Sequence, residues 1–221
     1  MTLQSCIKKL SLLYCTMSLR IQDSKAENEV SKFLDKYFYP KFYNNNERVF
    51  DKSNQLNGID IIVDIPEIGR VNVDEKAAVH YVNKGIPTFA FEVDFRLSSG
   101  ELVDGWFYSK TKLTQYYLLI WVWADKDKGF VCDDISKLEV VLINRFKIHS
   151  ELMKYGLSEI SIQEVSKSIR ESNISGVSQK DFTKPFYYYL TTHLSENPLN
   201  IILKKDFLIK NCIHHSFVLR P

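Results

Sequence analysis

The chain has 221 residues, 45% of them apolar and 13% aromatic, which supplies a sizeable core and excludes a disordered or low-complexity polypeptide. Its 29 lysines and arginines nearly balance 27 aspartates and glutamates, so bulk charge gives no general affinity for polyanions, and any nucleic-acid contact must come from a local patch. Cys6, Cys15, Cys132 and Cys212 are far apart and form no C-x-x-C pair; this argues against a disulfide framework or a zinc site of standard spacing and for reduced thiols in a cytoplasm.

The first elements are read from periodicity. Lys8 to Cys15 imitates a signal peptide weakly, with a short, interrupted apolar run and no A-x-A site, so residues 1–23 are expected to be an extension, with Met17 an alternative start. Ala26, Val30, Phe33, Leu34 and Tyr37 recur at helical spacing, predicting a helix over 24–38 that Asp23 or Ser24 caps and Tyr39-Pro40 ends. Asn44 to Asn46 is turn chemistry, and residues 48–51 are expected to form a short strand.

Residues 59–65 and 70–76 are two β-rich runs joined by Pro66-Glu67-Ile68-Gly69, a hairpin pattern. With a three-residue loop and Gly69 left-handed, opposed residues have numbers summing to 134. Asp60 then faces Asp74, and Asp64 faces Arg70. Ile59, Ile61, Val63, Ile65, Val71 and Val73 share one face, while Asp60, Asp64, Arg70, Asn72, Asp74 and Lys76 share the other.

Pro87 to Arg96 alternates in the same way and is expected to add a strand to that sheet. Leu102 to Tyr108 is a further strand, and Tyr116 to Trp123 a buried one. That apolar run stops at Asp125, well short of the roughly 18 apolar residues of a membrane span, so none is expected. Beyond it come an apolar strand over 138–143, a helix over 144–155 and the start of another over 161–171. From Lys137 onward 12 lysines and arginines face 8 acids, making the tail half the more cationic part. Its aromatics, Phe186 to Tyr189, read as strand core or as a surface for stacking bases. Cys212, His214 and His215 lack the further group a metal site requires, and His80 and His149 read as ordinary core or surface histidines.

Chemistry concentrates on the hairpin. Asp74 and Lys76 share a face, and a cross-strand Asp60 has its Cβ about 4.5 to 5.5 Å from that of Asp74. Two opposed carboxylates repel unless a cation joins them, and carboxylate oxygens with a nearby amine suit Mg²⁺-dependent phosphodiester hydrolysis. Gly58-Ile59-Asp60 followed by Val73-Asp74-Glu75-Lys76-Ala77 resembles the core motif of the PD-(D/E)XK nuclease superfamily over about residues 24–96. Residue by residue, Asp60 matches the first acid, Asp74 the second and Lys76 the lysine, with Glu27 on the preceding helix the candidate helical acid and Glu29 equally available. Isoleucine precedes Asp60 where the family name has proline, and Gln115 with Tyr116 and Tyr117 only loosely echoes the family's Q-x-x-x-Y element. Glu92 and Asp94 are candidates for an additional metal ligand.

The resemblance implies an α/β, restriction-endonuclease-like core over 24–125, a central mixed sheet flanked by helices, and a C-terminal α/β elaboration over 126–221. It also implies Mg²⁺ or Mn²⁺ held by Asp60, Asp74 and Glu27, with Lys76 orienting or helping to deprotonate water. The expected partner is DNA before RNA, cleaved to 5′-phosphate products by a cytoplasmic protein that is a monomer or a homodimer. The alternative is an inactive nuclease-like fold serving as a nucleic-acid-binding or protein-interaction module, since Asp and Lys are also what a wet sheet face usually carries. A structural protein of a mobile element is a third reading.

Overall fold

The computed structural model describes residues 22–172 and 174–221. Cys6, Cys15 and Met17 lie outside the described residues. The first helix, α1, covers 22–37 and buries Val30, Phe33 and Leu34, the stripe its periodicity demands. Asp23 and Ser24 are already helical, and after a break at Phe38 the chain re-forms a short helix α2 (Tyr39–Phe42) instead of ending at Pro40. Proline is tolerated there because a helix's first turn leaves its N–H without an intrahelical partner anyway.

One six-stranded sheet has the order β1-β2-β3-β6-β7-β11. These strands are β1 (Asn46–Arg48), β2 (Ile61–Ile65), β3 (Gly69–Ala77), β6 (Tyr116–Ala124), β7 (Ile135–Asn144) and β11 (His214–Leu219). A short helix α3 (Lys52–Leu56), capped by the Asp51 carboxylate on the Asn54 N–H, links β1 to β2. The β2–β3 hairpin has the anticipated register, with Ile61 opposite Val73 and Asp64 opposite Arg70. Gly69 has φ 92° at the turn, a value a Cβ would disfavour. β3 pairs parallel with β6 while the other neighbours are antiparallel, so the sheet is mixed. β6 is buried along almost its whole length, as a central strand covered on both faces must be.

The strand over Pro87 to Arg96 does not join this sheet. As β4 (Thr88–Arg96) it lies in a second, five-stranded sheet of order β5-β4-β10-β9-β8, with β5 (Leu102–Asp104), β8 (Gly176–Ser178), β9 (Phe186–Leu190) and β10 (Leu199–Lys204). The reason is occupancy: the free side of β3 is taken by β6, so β4 finds its partners in β5 and β10. Both sheets draw strands from either side of residue 125: β7 and β11 complete the first, and β4 and β5 belong to the second.

The protein is therefore mixed α/β, with a mixed central sheet flanked by helices. On one face α1 packs Phe33 and Leu34 against Ile61, Val73, Leu118 and Ile120. On the other, Tyr117, Leu119 and Trp121 meet the inner side of the second sheet, including Phe91, Tyr188 and Ile201. The same core takes Ile148 and Leu152 of α4 (Arg145–Met153), Ile162 and Ile169 of α5 (Glu159–Ser172) and Leu208 of α6 (Lys205–Asn211). No helix among the described residues is long and apolar enough to cross a membrane.

Asp94, expected on a polar strand face, is buried. The register shifts between Leu199 and Asn200 where β10 crosses β4, and Asp94 turns toward α5. There its Oδ1 accepts from Arg170 Nε at 3.1 Å and from Nη2, and its Oδ2 accepts from Ser166 Oγ. Both ionic side chains are under one-tenth exposed, so removing one leaves the other charged in a poorly solvated place. Asp94→Ala is expected to lower unfolding free energy by about 3–5 kcal/mol in urea titrations. Glu47→Ala, at the solvent-screened Arg70 pair, should change it by less than about 1 kcal/mol. Equal effects would contradict this account.

Candidate functional site

Asp60 stands one residue before β2, where its backbone N–H donates to Val73 O at 3.0 Å and so continues the hairpin ladder. Its side chain reaches across the ribbon, and Oδ2 accepts from the Glu75 N–H at 2.8 Å. Asp74 is buried, with only 2% of its surface accessible, and its Oδ1 takes the Lys76 ammonium. Lys76 keeps about a quarter of its side chain accessible, at 27%, and its Nζ lies 5.4 Å from the centre of the Trp106 ring, within cation–π range. Asp60, Asp74 and Lys76 thus converge at one end of the ribbon.

The turn that carries Asp60 is held from the opposite side of the chain. Gly58 has φ 76°, and a Cβ on it would stand 2.2 Å from Thr114 Oγ1 and 3.3 Å from Asp74 Oδ2. Only glycine fits so close a backbone approach. Thr114 Oγ1 donates to Gly58 O at 2.8 Å, and Leu113 N to Asn57 O at 2.8 Å. The 107–112 loop is anchored in turn by buried Arg145, whose guanidinium donates to the carbonyls of Ser109 at 2.6 Å, Lys112 at 3.0 Å and Phe107 at 3.4 Å. Arg145 is the first residue of α4, after Asn144 has capped that helix by accepting from the Lys147 N–H at 2.9 Å.

A cleft of about 530 Å³ opens beside this end of the ribbon, lined by Glu27 and Ser31 of α1 and by Arg48, Asp60, Glu75 and Lys76. Glu27 therefore reaches the same cleft from its exposed position on α1. Glu29, the other helical candidate, turns away to Lys32 and to the Cys132 N–H.

Electrostatics single out Asp60. Burial first, and then the negative charge of Asp74, push its carboxyl up to about 7 against the opposing Lys76 ammonium and Glu75 N–H. The Glu27 carboxyl is raised by desolvation in the cleft, which Lys76 opposes and Asp23 and Asp74 reinforce. For Lys76, burial alone would release the proton, but Asp74 and Asp60 outweigh it and hold the ammonium above its ordinary range.

Glu75 went unrecognised as the middle residue of the D-x-K motif, yet it is the best-connected acid of the ribbon. Tyr39 Oη donates to it at 2.5 Å, Ser31 Oγ at 2.7 Å and Arg48 Nη1 at 2.7 Å, while Arg48 also pairs with Asp35. The available signal was period two: Glu75 falls on the face of Val71 and Val73, where a charge survives only if paired.

Other candidates separate from the site. Glu92 and Asp94 are on β4 in the second sheet. Gln115 uses its Oε1 to accept from the Asn72 N–H at 2.8 Å, and Tyr116 and Tyr117 enter the two opposite cores. His215 bonds Glu139 and His214 bonds Ser216, so the tail Cys-His-His group disperses. His80 lies 3.2 Å from Asp23, and His149 packs against Phe107 and Tyr108.

Among the described residues no three acid, histidine or cysteine side chains converge closely enough to hold a metal. The donors that do meet are the Asp60 and Asp74 carboxylates. Each has one oxygen engaged, Oδ2 by the Glu75 N–H and Oδ1 by Lys76. The other oxygens fit a hard divalent ion by donor chemistry, since Mg²⁺ is commonly held by one or two carboxylates with water and phosphate completing its shell. No family model, curated protein or solved structure matches this chain, so its chemistry is read from this geometry.

Two outcomes follow. A carboxyl whose pKa is higher in the folded than in the unfolded state stabilises the fold below the unfolded value, and that contribution is lost as pH rises through the folded one. For Asp60 the window runs from about pH 4 to about 7. Asp60→Asn should therefore raise Tm at pH 8 relative to the parent, with the difference closing by pH 4 in parallel melts; a constant offset would remove Asp60 as the source. Gly58→Ala should lower Tm at every pH, because the strain is steric, and an unchanged melt would contradict the close approach to Thr114.

Proposed function

We propose that the protein is a Mg²⁺-dependent nuclease that hydrolyses phosphodiester bonds of DNA, using a site of the PD-(D/E)XK type. The observation that carries this reading is the meeting of Asp60, Asp74 and Lys76 at the end of one β-ribbon, beside an open cleft. Asp60 and Asp74 are the residues that would hold the ion, and Glu27, which lines the same cleft as Asp60 and Lys76, would join through water. When bound, a divalent ion polarises the phosphoryl oxygens and offsets charge developing in the transition state. Lys76, beside the carboxylates, would orient the attacking water or help to deprotonate it and steady negative charge. Trp106 restricts the ammonium from the side. The family resemblance adds the expectation of 5′-phosphate ends.

One observation favours a second reading, a nuclease-like module without activity: among the described residues no third ligand joins the two carboxylates. Cleavage and metal binding distinguish the two. Asp74→Asn and Lys76→Met are each expected to abolish Mg²⁺- or Mn²⁺-dependent nicking of plasmid DNA, with Glu47→Gln as an active control. Calorimetric titration with Mn²⁺ should give binding that Asp60→Ala removes. Cleavage retained in Asp74→Asn excludes the proposed site, and absence of Mn²⁺ binding to the parent chain favours the inactive module.

A further inference from the structure

The cleft beside the ribbon also carries chemistry that holding an ion does not use. Phe50, two residues after β1, lines the cleft together with Asp60 and Lys76, yet it is 85% exposed and belongs to neither core. Its backbone is fixed on both sides. The Val49 N–H donates to Asp60 O at 2.9 Å, Gln55 Nε2 donates to Val49 O at 3.0 Å, and the Asp51 carboxylate caps α3 by accepting from the Asn54 N–H at 2.8 Å. A phenyl ring is thus presented to water one residue from the bond that ties β1 to Asp60.

The same cleft supplies side-chain amides. Asn28 of α1 and Gln55 of α3 both line it, and because the Gln55 amino group is engaged by Val49 O, its Oε1 keeps its acceptor capacity. Net charge does not select what enters, since the cleft is lined by three acids and three cations, and Arg48 among them is paired with Glu75 and Asp35. Selection comes from the combination. An exposed ring takes the face of a base, amides match the mixed donors and acceptors of a base edge, and an ion on the carboxylates takes the adjacent phosphate. At about 530 Å³ the cleft has the size that encloses a small molecule, one nucleotide and not a double helix.

We infer that the substrate is single-stranded DNA and that Phe50 selects it, stacking the base of an unpaired nucleotide whose phosphate meets Asp60 and Lys76. The inference rests on the proposed nuclease reading and adds the strandedness of its substrate. In a duplex both faces of a base are covered by its neighbours and its pairing edge is occupied. Neither the ring nor the amides find a partner there until the base is unstacked, a cost absent in a single strand. Supercoiled plasmid, whose torsion opens base pairs, remains a substrate of the same site. Phe50 acts on binding and takes no proton.

Two measurements with the full chain test it. The first is fluorescence anisotropy in Mg²⁺ of labelled dT12 with phosphorothioate linkages, which resist hydrolysis. Binding is expected to be about tenfold tighter, or more, than that of a paired duplex of the same length and linkage. Phe50→Ala should weaken it about tenfold, whereas Phe50→Trp, which keeps a ring, should bind at least as tightly as the parent. The second is Mg²⁺- or Mn²⁺-dependent cleavage of unmodified oligonucleotides, in which Phe50→Ala should raise KM for the single strand with kcat little changed. Because Phe50 is exposed, both variants should melt with the parent, so a loss reports the ring and not the fold. Single-strand binding indifferent to Phe50→Ala, a duplex taken as well as the single strand, or a fall in kcat alone would each overturn the inference while leaving a cleaving site at Asp60, Asp74 and Lys76. Phe50-dependent binding of dT12 by a chain that cleaves nothing would uphold the nucleotide site and remove the nuclease reading.

Discussion

Two carboxylates held at one end of a β-ribbon, with a single ammonium between them and the solvent, set the local balance of charge around which this part of the structure is built. Asp74 is buried and takes the Lys76 amine. Asp60 accepts from a backbone N–H of the opposite strand, yet burial and the charge of Asp74 outweigh that bond and lift its carboxyl to about 7. A ribbon free to slip would relieve this crowding by separating the acids, but a one-residue slip would also turn Ile61, Val63, Val71 and Val73 out of the core. Hydrophobic register thus enforces an electrostatic arrangement that is unfavourable by itself.

The same ribbon carries Glu75 in the opposite sense. Its side chain enters the apolar face and is met by Tyr39, Ser31 and Arg48, so α1, α2 and β1 are tied to β3 at the residue between the two site residues. Elsewhere Asp94 with Arg170 and Glu139 with Lys205 follow this pattern of buried charge answered at close range. Such pairs contribute little net stability over apolar replacements, yet breaking one partner is costly. Within this fold they fix which helix meets which strand: Arg170 seats α5 on β4, and Lys205 seats the start of α6 on β7.

The separation into two sheets also separates two chemistries. The cleft beside the first sheet is lined by three acids, Glu27, Asp60 and Glu75, and three cations, Lys25, Arg48 and Lys76, while the outward face of the second carries Tyr187 and Tyr189 with Ile202, Asn200 and Glu92 on the neighbouring strands.

The hairpin, its register and its two faces were legible from residues 59–76 alone, because period-two alternation and a loop ending in glycine restrict a ribbon to very few pairings. The helix α1 and the buried strand β6 were legible for the same local reason. Alternation states that a strand has one buried face but says nothing of which strand lies beside it, so it does not reveal that β4, with Glu92 and Asp94, belongs to the second sheet. Only the fold, through the pairing of β3 with β6, decided that. Likewise the run Phe186 to Tyr189 contains both core and surface rings, and pairing with β10 determined which tyrosines point outward. Local pattern is a property of consecutive residues; partnership between distant strands depends on which edges remain free once the longest apolar strand has been buried.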